Sequence, residues 1–183
     1  MEMYDYSQPV KLYDVTFKNR LLNSAGCWCT TEKELMDLVN SDCGGIVSKS
    51  CLLNPYDGNP KPRYYGNPNL SINSTGLANL GHRFYNSIGK TIREKKPYII
   101  SVGVKNIENT LTILKNIQEE QNCDFIELNV SCPNILNSPI LGYNPTYFDT
   151  FLKMVFNPEL GIKDPNKTKI GLKMPPYLDV ILL

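Results

Sequence analysis

The hydrophobic positions of the chain alternate between short continuous runs and runs with a spacing of three or four residues. The continuous runs predict parallel strands buried on both faces, and we place them at residues 21–24, 46–49, 98–104, 125–130 and 169–174. Helical spacing lies between these strands, as in the set Ile107, Leu111, Leu114 and Ile117. We predict helices after Thr31, over residues 79–95, from Ile107 onward and over 147–156.

Local signals refine these boundaries. The short apolar runs on either side of Tyr13-Asp14 predict an N-terminal β-hairpin over residues 10–18. Thr31 followed by Glu34 forms a capping-box pattern, which marks the start of the first helix. Residues 50–80 contain four prolines and show no regular periodicity, so we expect an irregular loop whose length points to a functional role.

The resulting order is a hairpin followed by five strands with a helix between each pair. This alternation predicts a parallel α/β sheet, either part of a barrel or an open doubly wound sheet. The chain has neither a GxGxxG motif after the first strand nor a GxxxxGK[ST] motif. Nucleotide binding of the Rossmann or P-loop type therefore has no support.

Composition narrows the classes of function. The 183 residues contain 19 Lys and Arg against 18 Asp and Glu, a net charge of +1, which argues against a nucleic-acid partner held by bulk charge. No apolar run has the roughly 20 residues of a membrane span, and residues 1–10 do not resemble a signal peptide. We therefore expect a cytoplasmic protein whose six cysteines are free thiols, five of them small buried residues. Their spacing does not suggest a metal site.

The carboxyl ends of the predicted strands carry unusually polar residues. In parallel α/β folds this is the edge where ligands bind. Lys49 and Lys173 each end a strand, where a buried ammonium group is costly unless it has a partner, although a lysine at a strand end can also reach solvent. Asn73, Asn129 and Asn134 supply both donors and acceptors, which suits a planar heterocyclic amide ligand.

Cys132 differs from the other thiols because it follows a strand among polar groups, where a thiolate can act as a base or nucleophile. The single histidine, His82, lies in a predicted helix with nothing local to pair it with Cys132. A Cys-His hydrolase is therefore disfavoured, and we expect His82 to be structural.

Five segments together resemble the dihydroorotate dehydrogenase family, most closely its soluble, fumarate-using class 1A. They occur in the family's order and are VSKS at 47–50, DGNPKPRY at 57–64, INSTGL at 72–77, LNVSCPN at 128–134 and GLKMPPY at 171–177. Each is weak alone, but five in order are specific. Cys132 and the absence of a membrane segment count against the membrane-associated class, which carries a catalytic serine.

The resemblance implies a (β/α)₈ TIM barrel that binds FMN at the carboxyl ends of its strands. A barrel needs roughly 250 residues, so residues 1–183 would be a partial FMN-binding barrel with about the first five strands and with its C-terminal strands missing. The implied reaction is oxidation of dihydroorotate to orotate in pyrimidine (UMP) biosynthesis, with FMN as hydride acceptor and fumarate as final acceptor. The implied assembly is a homodimer, without nucleic acid, membrane or metal.

The resemblance also assigns roles to individual residues. Cys132 would be the catalytic base that removes the C5 proton of dihydroorotate. The substrate would be held by Lys49, Asn73, Gly76, Leu77, Asn129 and Asn134. The cofactor would be held by Ala25, Gly26, Lys49, Ser50, Asn129 and Lys173.

Some features depart from the family pattern. Thr75 stands where the class usually has Met, residues 135–141 lack the usual sequence after the catalytic loop, and Cys27-Trp28-Cys29 is unusual beside Gly26. Two other readings therefore stay open. One is a truncated or degenerate homologue that has no activity on its own and acts at most as a weak ligand-binding or interaction fragment. The other is a related FMN enzyme that acts on another dihydropyrimidine.

Overall fold

The computed structural model describes residues 6–131, 140–164 and 168–176. A four-stranded parallel sheet with helices on one side forms its centre. In chain order the elements are β1 (Val10–Leu12), β2 (Val15–Phe17), α1 (Glu32–Asn40), β3 (Ile46–Val47), β4 (Tyr64–Asn67), β5 (Leu70–Asn73), α2 (His82–Arg93), β6 (Tyr98–Gly103), α3 (Ile107–Glu120), β7 (Phe125–Asn129), a 3₁₀ turn (Leu141–Tyr143), α4 (Pro145–Val155) and β8 (Lys169–Lys173). Within the described ranges, no helix has the length and apolar character needed to cross a membrane.

The strand order identifies the type of α/β fold. The parallel strands lie in the order β3-β6-β7-β8, and an isolated parallel bridge between Leu22 and Gly45 adds one more segment beside β3. Each successive strand is therefore added on the same side of the previous one. A doubly wound sheet reverses direction partway through, so this order excludes that alternative and confirms a partial barrel of about five strands.

The two faces of the sheet differ in chemistry because successive side chains point to opposite faces. Ile100 and Val102 of β6 and Ile126 and Leu128 of β7 are buried in the main hydrophobic cluster, together with residues of the four helices. The intervening residues of the opposite, inner face include Ser101, Glu127 and Asn129. The apolar face supplies the core, and the polar face points toward the interior of the barrel.

The predicted N-terminal hairpin is confirmed, and it packs against the amino end of the sheet. β1 and β2 pair antiparallel, and the buried ring of Phe17 lies 6.0 Å from that of Phe125, the first residue of β7. Asp14 in the turn forms an ion pair of 2.7 Å with Lys169, the first residue of β8. The hydrogen bond from Lys169 lowers the pKa of the Asp14 carboxyl.

Helix starts follow their sequence signals closely. Thr31 caps α1 in a full capping box, in which its side chain accepts from the Glu34 N–H and the Glu34 carboxylate accepts from the Thr31 N–H. Asn106 and Asn144 cap α3 and α4. α2 begins at His82 rather than at residue 79 because Gly81 has a φ of 80°, outside the helical region.

The predicted strand over residues 21–24 is wrong in extent, since only the bridge at Leu22 forms. The Asn23 side chain takes the place of a backbone partner for β3. Its Oδ1 accepts from the Val47 N–H at 2.8 Å, and its Nδ2 donates to the Val47 carbonyl at 2.7 Å. A side chain that binds both groups of Val47 ends the backbone ladder at this point.

The prediction of an irregular loop over residues 50–80 is wrong for residues 64–73 and holds for the rest of the segment. The segment contains an antiparallel hairpin, β4 with β5, that projects from the barrel with all eight strand residues exposed. Asn67 closes its turn, because its Oδ1 accepts from the N–H groups of Asn69 and Leu70. The Asn67-Pro68-Asn69 sequence is a turn signal of this kind. The alternation of apolar and polar residues in β5 covers only four positions, Leu70 to Asn73, and β4 does not continue it.

Candidate functional site

A bulge in the second strand of the barrel positions Lys49. Val47 pairs with Ile99 and Cys51 with Val102, so four steps along this strand oppose three along β6. Lys49 lies in this bulged segment between the two paired positions, and its N–H donates to the Cys29 carbonyl on the side away from β6. Bulges redirect side chains in this way and are common beside functional sites.

The Lys49 side chain is only 6% exposed, and its Nζ donates to the Ala25 carbonyl at 3.3 Å. A buried ammonium group loses most of its hydration and must be compensated by nearby oxygen atoms or by an anion. Its place beside the carboxyl ends of the strands makes it a candidate for contact with a ligand.

Lys49 lines an open cavity of about 260 Å³ at the carboxyl end of the sheet. Eight of the eleven residues predicted for the site also line it, Lys49 included. They are Ala25, Gly26, Lys49, Ser50, Asn73, Leu77, Asn129 and Lys173. These residues come from four strand ends and from the projecting hairpin, so the fold brings together positions that are up to 148 residues apart.

Asn129 ends β7 and is held from both sides. Its Nδ2 donates to the Ser50 hydroxyl at 3.0 Å. Its Oδ1 accepts from the Ser131 N–H at 3.2 Å and from the Ser131 hydroxyl at 3.1 Å. The amide is 4% exposed, so its orientation is fixed before any ligand arrives. Lys173 lies directly opposite on β8, the strand paired with β7.

The segment after β5 forms a tight turn over the cavity. Gly76 and Leu77 both have positive φ values, of 65° and 63°. A side chain at Gly76 would lie 2.4 Å from the Asn59 side-chain oxygen, so this position requires glycine. Gly76 is absent from the cavity lining, and its contribution is to turn the chain between Thr75 and Leu77, which do line it.

The Asn59 amide holds this turn in place. It donates to the Ser74 carbonyl at 2.9 Å and to the Ser74 hydroxyl at 3.0 Å. Two of the segments noticed in the sequence, those at 57–64 and 72–77, are therefore joined by direct contacts.

Two predicted site residues, Cys132 and Asn134, lie outside the described residues, as do residues 135–139 of the following segment. The predicted catalytic base and one substrate ligand therefore stay predictions. Within the described part of the chain, the nearest preceding residue is Ser131, which lines the cavity.

A second, larger cavity of about 850 Å³ adjoins the first and shares Cys27, Lys49 and Thr75 with it. The Trp28 ring packs edge-on against Tyr64 at 5.2 Å in its lining. In the sequence, Thr75 and Cys27 stand out only as departures from the family pattern, and Ser131 is not among the predicted ligand residues. Their positions directly beside predicted ligand residues were the available signal.

The residues around the smaller cavity suit a flavin. Ala25 and Leu77 offer apolar surface to the plane of a ring system, while Ser50 and Asn129 offer hydrogen bonds to its edge. Lys49 and Lys173 supply positive charge, which favours the electron-rich reduced form of a flavin. This set of donors is compatible with FMN.

The five described cysteines differ in how deeply they are buried. Cys29 and Cys51 are buried as expected, and burial raises the pKa of each thiol to about 12. Cys27, Cys43 and Cys123 are only half-buried, so the expectation of five buried thiols is wrong in extent. Within the described residues, no cluster of three or more His, Cys, Asp or Glu side chains could hold a metal ion.

His82 is confirmed as structural. Its Nδ1 lies 2.8 Å from the Leu53 carbonyl oxygen, which fixes the proton on that nitrogen, and its Nε2 lies 2.9 Å from Asn116 Nδ2. The imidazole thus joins the start of α2 to α3 and to the loop after β3.

The fold is a partial (β/α)₈ barrel with a cavity at the carboxyl ends of its strands. A family model described as dihydroorotate dehydrogenase matches residues 8–182. The chain therefore belongs to the dihydroorotate dehydrogenase family.

Named relatives agree with this membership. The chain is 36% identical over 178 residues to a dihydroorotate dehydrogenase (fumarate) of Trypanosoma brucei brucei, covering 95% of this chain and 55% of the relative. It is 37% identical to a protein of the same name from Trypanosoma cruzi, covering 93% of this chain and 54% of the relative. A putative dihydroorotate dehydrogenase A (fumarate) of Streptococcus equi subsp. equi is 37% identical, with 96% and 55% covered. The chain thus spans about half the length of these relatives.

A solved structure supports the fold alone. A crystal structure of DHODH from Eimeria tenella, in complex with ferulenol, superimposes with a TM-score of 0.70 at 16% identity. The match covers all of this chain and 56% of the other. The partial barrel therefore corresponds to about half of a complete family fold.

Proposed function

We propose that these residues supply part of the active site of a dihydroorotate dehydrogenase that oxidises dihydroorotate to orotate. The observation that carries the proposal is the cavity at the carboxyl ends of the strands, because eight of the predicted ligand residues meet there. Relatives of similar sequence bear the name dihydroorotate dehydrogenase (fumarate). FMN as cofactor, fumarate as final electron acceptor and a place in pyrimidine biosynthesis are parts of the same proposal.

The proposed binding roles form two overlapping sets of residues. The pyrimidine ring and carboxylate are held by Lys49, Asn73, Gly76, Leu77, Asn129 and Asn134, and the cofactor by Ala25, Gly26, Lys49, Ser50, Asn129 and Lys173. Lys49 and Asn129 belong to both sets. The buried Lys49 ammonium group stabilises negative charge on either ligand, and the fixed amide of Asn129 orients them.

The chemistry needs a base and a hydride acceptor. In the proposed mechanism the Cys132 thiolate takes the C5 proton of dihydroorotate. FMN, when bound, supplies the acceptor for the hydride that leaves C6. Loss of that proton and that hydride converts the C5–C6 single bond into the double bond of orotate. Fumarate, a dicarboxylate, would bind at the same cationic site, where a hydride from the reduced flavin and the proton held by Cys132 would convert it to succinate.

The base assignment is tested in a completed chain, meaning these 183 residues followed by the strands that close the barrel. Cys132→Ser should slow reduction of the bound flavin by dihydroorotate far more than it weakens orotate binding. Stopped-flow absorbance of the flavin measures the first quantity, and titration with orotate measures the second. Unchanged reduction kinetics would refute the role of Cys132.

A second candidate is that residues 1–183 alone have no activity and act at most as a weak ligand-binding or interaction fragment. It is favoured by the sheet itself, because among the described residues β8 pairs with β7 only and leaves its other edge open. We expect the purified 183-residue chain to retain no FMN. Recovery of a yellow protein with one flavin per chain would contradict this expectation.

We also propose an oligomeric state and a cellular location for the protein. We propose a homodimer in the cytoplasm, built on a single partial barrel domain over residues 1–183. The projecting hairpin supports a second copy as the partner, because Tyr65, Leu70 and Ile72 are exposed apolar residues on it. Sedimentation of the completed chain tests this, and a purely monomeric species would contradict it.

A further inference from the structure

A line of hydrogen bonds leads from the ligand cavity into the interior of the barrel. Asn129 Nδ2 donates to the Ser50 hydroxyl at 3.0 Å. The Ser50 and Ser101 hydroxyl oxygens lie 2.9 Å apart. The Ser101 hydroxyl donates to Glu127 Oε1 at 2.7 Å. These four side chains form what we call the Asn129–Glu127 relay, and only its first two members line the cavity.

The donors and acceptors at the two ends of the relay allow its hydrogen bonds to run in only one direction. A hydroxyl carries a single hydrogen, and Ser101 donates its hydrogen bond to Glu127 Oε1. The oxygen of Ser101 is then free to accept from Ser50, and the oxygen of Ser50 to accept from Asn129. Each hydroxyl donates once and accepts once, which fully orders both serines.

The surroundings of the relay strengthen this ordering. Ser50 and Ser101 are both buried, so neither hydroxyl can exchange its partner for bulk water. Glu127 has Gly171 as its neighbour on β8, and a side chain added there would meet only a backbone oxygen at 4.0 Å. Glu127 is half-buried and open on that side, so its ordering rests on the hydrogen bond with Ser101.

We propose that Glu127 is a positioning residue that fixes the orientation of the Asn129 amide and the Ser50 hydroxyl at the ligand site. Its carboxylate lies at the far end of the relay and acts through Ser101. Asn129 is consequently held with its nitrogen toward Ser50 and its oxygen toward Ser131. This inference rests on the proposed function only in naming FMN as the ligand whose binding reports the orientation.

The test replaces Glu127 in the completed chain and measures the dissociation constant of FMN. Glu127→Ala leaves Ser101 without its acceptor and should weaken FMN binding about tenfold, which corresponds to the loss of one buried hydrogen bond. Glu127→Gln keeps an acceptor oxygen at the same place and should stay within about threefold of the parent chain. Thr110→Val is the control, because it deletes a buried hydroxyl bond in α3, outside the relay.

A double-mutant cycle separates positioning from general stability. If Glu127 acts through Ser50, Glu127→Ala should have little further effect on FMN binding once Ser50→Ala has broken the relay. Additive effects of the two substitutions would overturn the proposal, and so would a loss with Glu127→Ala no larger than with Thr110→Val.

A measurement without FMN keeps this inference distinct from the proposed function. Hydrogen exchange of the Asn129 side-chain amide, followed by NMR in the apo completed chain, should become faster in Glu127→Ala and stay unchanged in Thr110→Val. An unchanged Asn129 amide would overturn the relay even if FMN binds. Faster exchange in Glu127→Ala, in a completed chain whose parent form binds no FMN, would support the relay and refute the cofactor assignment.

Discussion

The two ends of the parallel sheet use the same residue types for different purposes. β8 begins with Lys169 and ends with Lys173. At the amino end, Lys169 forms an ion pair with Asp14 and lies 5.9 Å from the centre of the Phe125 ring. At the carboxyl end, Lys173 lines an open cavity beside amide and hydroxyl groups. The amino end is covered by the N-terminal hairpin, and the carboxyl end is left open.

This difference separates stability from ligand binding. A lysine paired with a carboxylate of its own chain contributes to the stability of the folded state. Its charge is already compensated, so it attracts an anionic ligand only weakly. Lys173 lies beside amide and hydroxyl groups at the cavity, where its charge can meet an anion at a cost in desolvation. Substitutions at the amino end should therefore affect unfolding, and those at the carboxyl end should affect binding.

The largest effect is expected from the aromatic contact at the amino end. Phe17→Ala removes a ring that is 2% exposed and should lower the free energy of unfolding of the completed chain by about 3 kcal/mol. Tyr13→Ala is the matched control, since the Tyr13 ring also contacts Phe125 but is 78% exposed and should cost far less. Denaturant unfolding measures both, and orotate binding should be unchanged in each.

At the carboxyl end, Lys49→Met in the completed chain should reduce flavin reduction by dihydroorotate by about 100-fold, because a preorganised charge is lost from the site. Its melting temperature should stay the same or rise, since a buried ammonium group is removed. Lys169→Met should show the reverse pattern, with lower stability and normal kinetics. Equal effects of Lys49→Met and Lys169→Met on flavin reduction would contradict the proposed difference between the two ends of the sheet.

The rates at which cysteine thiols react measure how accessible each end of the sheet is, and here we expect a smaller effect. Burial raises the pKa of the Cys123 thiol, which lines the small cavity at the amino end, to about 12. Only about one such thiol in 10⁴ is ionised at pH 8. Cys27 lines both cavities at the carboxyl end, so iodoacetamide should label it about 100-fold faster than Cys123. Cys29, two residues away but buried, is the internal control, and peptide mass spectrometry reads all three.

The smallest effect concerns pH and the hairpin turn. The pKa of Asp14 is lower in the folded protein than its ordinary value of 3.8, because Lys169 donates a hydrogen bond to it. The stabilisation is therefore complete above that ordinary value and is lost as the pH falls through the lowered one. Asp14→Asn should slightly lower the melting temperature near pH 7. The difference in melting temperature between the variant and the parent should be smaller at pH 3. A difference that grows on acidification would contradict the ion pair.

Much of the fold could be predicted from local patterns. The hairpin β1-β2, the capping box at Thr31 and the strands β6, β7 and β8 follow signals contained in a few neighbouring residues. The first strand was predicted too long because a distant side chain replaces a backbone partner there, as Asn23 does for Val47. No local pattern reports a contact between residues so far apart in the chain.

The candidate site divides in the same way. The sequence by itself determined which residue types end the strands, and the resemblance of its motifs grouped Lys49, Asn73, Asn129 and Lys173 as ligand residues. Only the tertiary structure decided how they are held. The bulge that redirects Lys49 and the relay from Asn129 to Glu127 depend on pairing between strands. Strand pairing is a long-range property, because register and hydrogen-bond direction are set by residues that meet only in the folded chain.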